Sequence, residues 1–377
     1  NPFDPDMASM IHNEMRKHGI KLVLGYTVEG FKEKDNGVEV LLKDNPSLQA
    51  DMVVLAIGVT PDTVLAKEAG LELGIKESIV VNDRMETSVP DIYAAGDAVQ
   101  VKHYVTGNDA LISLAGPANK QGRIIADNIC GGDSRYLGSQ GSSVIKVFDM
   151  TAATTGINET NAKKSGLEVD TVILSPMSHA GYYPGGKVMT MKVVFEKETY
   201  RLLGAQIIGY EGVDKRIDVL ATAIHAGLNA TQLKDLDLAY APPYSSAKDP
   251  VNMAGFMIDN IAKGTLKQWH LEDMDKISKD KDVVLLDVRT VGEFSRGHID
   301  GFKNIPVDEL RERISEIEKG KPVYLICQSG LRSYIASRIL EGNGYETYNF
   351  SGGFRFYDAV VNDRALIERA YACGMDY

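Results

Sequence analysis

The chain has 377 residues, 44% of them hydrophobic and 25% charged. At roughly 150 residues per domain this length suggests two or three globular domains, and the composition excludes collagen, a disulfide scaffold and disorder as the main theme. The net charge of −11 argues against a nucleic-acid partner, and no apolar run approaches the roughly 18 residues that a membrane span needs.

Three widely spaced cysteines, Cys130, Cys327 and Cys373, are too few to staple a secreted fold. No secretory signal is visible, so a cytoplasmic, reducing setting is expected. Met7, Met10, Ile11 and Met15 recur at helical spacing and predict a helix over 7–18. Residues 20–24 and 38–42 read as strands around the polar turn Lys34-Asp35-Asn36-Gly37. Residues 51–57 form a continuous apolar run ending at Gly58, the pattern of a strand buried on both faces. A short strand is expected at 79–81 and a second buried run at 91–95, which ends in Gly96-Asp97-Ala98. A helix near 117–129 completes the texture of an α/β nucleotide-binding domain.

After Gly131-Gly132 the texture changes. Residues 144–148, 171–175, 188–195 and 201–208 look like strands of an antiparallel sheet, and 214–226 and 251–263 like helices. A linker is expected near 264–270. Beyond it, 283–288 and 322–326 read as strands and 307–317 and 333–341 as helices, a compact α/β module.

The strongest chemical signal is Cys327-Gln328-Ser329-Gly330-Leu331-Arg332-Ser333, between a buried strand and a helix start. That geometry points backbone N–H groups into a small cup at the positive end of a helix dipole, where a thiolate is stabilised. Gly330 permits the tight path, Arg332 adds charge and the Ser333 hydroxyl adds a donor. The product is a nucleophilic sulfur suited to carrying an outer sulfur as a persulfide; the bland alternative is a buried structural cysteine. In Gly96-Asp97, a strand delivers the carboxylate to its C-terminal end, where ligands bind in open α/β sheets; the alternative is a simple helix cap.

Residues 270–377 resemble the rhodanese domain. The resemblance rests on Leu286-Asp287-Val288-Arg289, Glu293-Phe294, Gly297-His298-Ile299-Asp300-Gly301, Asn304-Ile305-Pro306 and the Cys327 loop. It implies that Cys327 accepts sulfur with Arg332 and Ser333 beside it, and that Gln328, Ser329, Gly330 and Leu331 meet the substrate. Asp287 and Arg289 are expected as a structural pair, and His298 as a residue that supports the fold.

Residues 87–98 resemble the second FAD motif of the pyridine nucleotide-disulfide oxidoreductases, 51–61 the return from that family's nicotinamide domain, and 114–122 the helix facing the flavin pyrimidine ring. The resemblance implies FAD contacts at Gly96, Asp97, Ala115 and Ala118. Tyr240-Ala241-Pro242-Pro243-Tyr244-Ser245 is similar to the coenzyme A-disulfide reductase branch, in particular its rhodanese-fused members. There a second subunit brings the segment over the flavin, which implies roles for Tyr240 and Tyr182 near the redox sulfur and for Lys120 and Lys248 near coenzyme A phosphates. Read without the resemblance, the tyrosines fit packing equally and the lysines fit a solvated surface.

The implied fold is α/β: reductase nucleotide-binding segments at 1–59 and 60–137, an α+β dimerisation domain at 138–263 and the rhodanese-like domain at 270–377. The implied cofactors are FAD, NAD(P)H and coenzyme A. The implied partners are coenzyme A disulfide or persulfide, polysulfide, and a second copy of the chain sharing the active site. Asn1–Met7 matches that family partway through its nicotinamide domain. This places the glycine-rich dinucleotide loops, the reactive cysteine and the residue that selects NADH or NADPH upstream of Asn1. The alternatives are an NADH oxidase or peroxidase, and a C-terminal module that only senses redox state or docks.

Overall fold

The computed structural model describes residues 2–373; the side chains of 368–373, Cys373 among them, lie outside that description. The chain divides into two compact units, one joining Asn1–Ile20 to Ser143–Ala365 and the other built on Lys21–Ser142. Helix α1 (Pro5–Lys17) opens the first of these. Among the described residues no helix is long and apolar enough to cross a membrane.

In the second unit, β1 (Val28–Lys34), β2 (Gly37–Leu42) and β3 (Asn45–Ala50) form an antiparallel meander. The expected turn at 34–37 is present, but the strand before it is 28–34; residues 20–24 form no strand. After the short helix α2 (Val64–Glu68), β4 (Ile79–Val80), β5 (Val99–Lys102) and β6 (Asp109–Ala110) make a small mixed sheet. Helix α3 (Ala115–Ile129) covers it, packing Ile124 and Ile125 on Met85, Val99 and Val101.

Two expectations fail in this unit for one physical reason, the lack of a ladder partner. The apolar run at 51–57 joins no sheet, and Met52, Val54 and Ile57 are 75%, 76% and 89% exposed. Residues 91–95 supply only an isolated bridge from Tyr93 to Glu86, with Asp91 turned to a φ of 62°.

The first unit is built on two sheets. One comprises β7 (Ser143–Val147), β8 (Met150–Gly156), β9 (Val169–Leu174), β10 (Thr190–Glu196) and β11 (Leu202–Gly209), in the antiparallel order β7-β8-β11-β10-β9. Strand β8 had no sequence signal: its run of Ala and Thr lacks alternation because it is central and covered on both faces. Helix α4 (Glu159–Lys164) follows β8, and α5 (Val213–His225) and α6 (Pro250–Ala262) follow β11. Helix α1 docks by burying Met7 against Met150, Ile208, Phe356 and Val360. The buried Lys192 ammonium anchors its start, bonding Asp4, Asp6 and Glu159 at 3.2, 2.7 and 2.7 Å.

The second sheet has the parallel order β12-β16-β15-β13-β14, from β12 (Gln268–Trp269), β13 (Val284–Asp287), β14 (Lys303–Asn304), β15 (Val323–Ile326) and β16 (Thr347–Phe350). Helices α7 (Met274–Ile277), α8 (Val291–Arg296), α9 (Leu331–Glu341) and α10 (Gly353–Cys373) complete it. Within the expected linker at 264–270, Gln268–Trp269 form a short edge strand, with Trp269 buried against Phe302, Tyr324 and Phe350. The expected helix at 307–317 is a string of turns ending in a single 3₁₀ turn at Ile314–Glu316. Leu310 and Ile317 still reach the core, so turns satisfy the burial that suggested a helix.

Candidate active site

Strand β15 delivers Cys327 to its C-terminal end, and α9 begins four residues later. The thiol is buried. Its Sγ accepts from the Gly330 amide at 3.1 Å and from the Ser333 hydroxyl at 3.2 Å. Gly330 sits at φ +95°, a left-handed turn that places its N–H toward the sulfur. Its carbonyl is held in turn by Ser333 Oγ at 3.1 Å and by Asn349 Nδ2 at 3.2 Å. The amides of Leu331, Arg332 and Ser333 open α9 and have no intrahelical acceptor, so the helix end carries free positive dipole beside the thiol. Gly353 closes the loop from behind: a Cβ there would lie 2.7 Å from the Ser329 nitrogen.

Arg332 is held by an acidic partner that the sequence reading did not assign to it. Both terminal nitrogens bond Glu293 at 2.7 Å, a bidentate pair that fixes the guanidinium at the rim of the loop. The hydrogen bonds from Arg332 push the Glu293 carboxyl down to about 2. Asp287 and Arg289 form a buried bidentate pair; Arg289 also lies over the Phe354 ring and reaches Gln328 Oε1 at 3.4 Å. His298 stacks on Phe294 with ring centroids 4.0 Å apart.

Elsewhere in the same unit, two loops bring the hydroxyls of Tyr182 and Tyr240 to 3.0 Å. The hydrogen bond between them raises Tyr240 above the ordinary phenol range. A cavity of about 550 Å³ is lined by Gly181 and Ser246 and by Ser329, Gly330 and Leu331 of the thiol loop, while Tyr240 and Arg216 line a separate cavity of about 540 Å³. Lys248 lines the first of these, its ammonium 5.9 Å from the centre of the Phe256 ring.

In the other unit, Gly96, Asp97 and Ala98 form a 3₁₀ turn tied to α3 by the Gly96 amide on Gln121 Oε1 at 2.7 Å. Asp97 is exposed, and Ala115 and Ala118 lie in the first turn of α3, which has no side-chain cap. An exposed carboxylate beside uncapped amides is a donor set that fits the ribityl hydroxyls and pyrimidine edge of a flavin. Lys120 is exposed on α3.

Residues 1–122 match the pyridine nucleotide-disulphide oxidoreductase family, 142–250 its dimerisation domain and 270–359 the rhodanese-like domain. The chain belongs to the pyridine nucleotide-disulphide oxidoreductases and carries a rhodanese-like domain. Reduced CoADR-RHD of Bacillus anthracis is 46% identical and superposes with a TM-score of 0.93, covering 96% of this chain and 65% of that one. The NAD-dependent persulfide reductase from A. fulgidus is 40% identical at a TM-score of 0.86, over 94% of this chain and 65% of that one. The CoA-dependent NAD(P)H sulfur oxidoreductase of Pyrococcus abyssi is 36% identical over 249 residues, 66% of this chain and 55% of that protein.

Within this oxidoreductase chain, sequence reasoning missed three supports of the site. Glu293 was visible only as part of the rhodanese resemblance, not as the partner of Arg332. Asn349 carried no signal, because its contact with Gly330 spans 19 residues and depends on strand order. Arg216 and Asp249 stand in no motif of the sequence, and both are buried, with Arg216 Nη2 on Asp249 Oδ2 at 2.9 Å.

Proposed function

We propose that the chain is part of an FAD-dependent NAD(P)H:coenzyme A-disulfide/persulfide (polysulfide) reductase whose rhodanese-like domain carries sulfane sulfur on Cys327. The observation that carries this reading is a buried thiol held by N–H and O–H donors, in a loop whose Ser329, Gly330 and Leu331 line a cavity together with Lys248. The relatives' names point to the same chemistry.

Cys327 Sγ attacks the outer sulfur of a donor persulfide R–S–S⁻. The donor S–S bond breaks, RS⁻ leaves, and a Cys327 persulfide forms, with no net oxidant or reductant required. The Gly330 amide, the Ser333 hydroxyl and the α9 amides stabilise the anionic sulfur before and after transfer. Lys248 offers an ammonium to the phosphates of coenzyme A. Tyr182 and Tyr240 hold a proton between their hydroxyls for a thiolate released nearby, the second subunit of a homodimer supplying the pair. Asp97, Gly96, Ala115 and Ala118 would hold FAD, which would supply two-electron transfer from NAD(P)H to a disulfide or persulfide. Lys120 offers a second cation to the substrate phosphates.

The chain incubated with coenzyme A persulfide is expected to gain about 32 Da, one sulfur atom, on Cys327. Cys327→Ser is expected to abolish the adduct; an unmodified Cys327 in the folded wild type would leave the docking reading. An NADH oxidase from Methanocaldococcus jannaschii is 35% identical over 252 residues, 67% of this chain, a match as extensive as that of the sulfur oxidoreductase. That reading gives the thiol loop no task.

A further inference from the structure

Arg216 leaves α5 fully buried and spreads its guanidinium over two loops and a helix start. Nη2 donates to the Ser178 carbonyl at 3.0 Å, the Tyr244 carbonyl at 3.2 Å and the Ser245 hydroxyl at 3.2 Å. Nε and Nη2 hold the Asp249 carboxylate at 3.1 and 2.9 Å. Asp249 also takes the Ser245 hydroxyl at 2.7 Å and caps α6 through the Val251 amide at 3.0 Å. The two loops are tied directly as well, the Ala180 amide donating to the Ser245 carbonyl at 3.0 Å.

Tyr182 and Tyr240 ride on these loops. They are 77% and 47% exposed, so no core packing holds their rings. Their 3.0 Å contact is set by the loop backbones beneath them. A buried guanidinium is costly unless all its bonds are made, and an apolar residue would fill the space more cheaply. Only a planar fork reaches acceptors on both loops at once; a lysine ammonium at the same place would reach one side. We propose that Arg216, held by Asp249, is a positioning residue that fixes the Tyr182–Tyr240 hydroxyl pair. The proposal rests on the reading above that this pair serves the redox sulfur.

Tyrosine labelled with ¹³C at Cζ lets NMR follow each phenol in the 377-residue chain, with Tyr182→Phe and Tyr240→Phe assigning the two signals. In the wild type Tyr240 is expected to titrate above the ordinary range because Tyr182 bonds it. Arg216→Lys is expected to return Tyr240 toward that range. So is Ser245→Ala, which removes one link and leaves the buried ion pair in place. In the intact reductase both variants are expected to lower kcat about tenfold with KM held within about twofold.

If both variants fold and Tyr240 keeps its elevated titration, the proposal is overturned. It is equally overturned if Tyr182→Phe leaves Tyr240 unchanged, because there is then no hydroxyl pair to fix. If Arg216→Lys releases Tyr240 while Tyr240→Phe keeps full turnover, the positioning role stands and the catalytic reading of the pair fails.

Discussion

The Gly330 peptide works at both ends: its N–H meets the Cys327 sulfur, and its carbonyl is gripped by Ser333 and Asn349. Ser333 Oγ lies 3.2 Å from the sulfur and 3.1 Å from the Gly330 carbonyl, and its single proton serves one of the two at a time. Ser333→Ala is expected to slow persulfide formation on Cys327 about tenfold, the loss of one hydrogen bond of roughly 1.4 kcal/mol to a charged sulfur. Stopped-flow transfer from coenzyme A persulfide measures it. Glu293 gives a pH signature. Its carboxyl sits at about 2 in the fold against the usual 4.5, first through its bonds to Arg332. A depressed carboxyl stabilises the fold above the unfolded value and loses that stabilisation as pH falls toward the folded one. Wild-type stability is thus expected to drop between about pH 4.5 and 2 by about 1 kcal/mol from this group, allowing for solvent screening. Glu293→Gln should remove that part of the slope in acid unfolding followed by circular dichroism.

Elements show where sequence reading succeeds. The helices at 5–17, 115–129, 213–225 and 250–262 were legible because each has one apolar stripe on one face. The thiol loop was legible because a strand, a glycine and a helix start are contiguous in the chain. Strand β8 was not, because small residues buried on both faces carry no period. The tyrosine pair was named only through resemblance, since 58 residues separate its members. Strand β12 was hidden because its pairing with β16 spans about 80 residues, and its junction with β9 holds a titratable contact. His270 Nε2 meets Asp170 Oδ1 at 3.0 Å, and Gln268 bonds the same carboxylate at 3.1 Å. Burial opposes the His270 charge, but the bond and charge of Asp170, with Glu272 and Glu159 beyond, raise it above the usual 6.5. A raised histidine stabilises the fold fully below 6.5 and loses that contribution as pH rises through its folded value. The wild type is expected to lose thermal stability from pH 6.5 upward, and His270→Gln to lose this dependence, as melting curves across pH 6 to 9 would show.

At the scale of the whole chain, the thiol loop and the most exposed apolar surface lie in different units. Met52, Val54, Leu55, Ile57 and Val59 are all strongly exposed in the unit built on Lys21–Ser142, whereas Cys327 belongs to the other. The chain spans 65% of the length of the solved relatives it matches, and within this span the run packs on no sheet, so the 377-residue chain leaves it open to association. Its burial against another surface gains roughly 25 cal/mol per Å² of apolar area removed from water. The 377-residue chain is therefore expected to form species larger than a dimer in sedimentation velocity. Val54→Ser with Ile57→Ser is expected to reduce them severalfold while leaving the rate of sulfur loading on Cys327 unchanged. Because the two readouts belong to separate units, they should move independently. A loss of sulfur loading in the double variant would mean that the apolar run supports the thiol loop, contrary to the division of the chain.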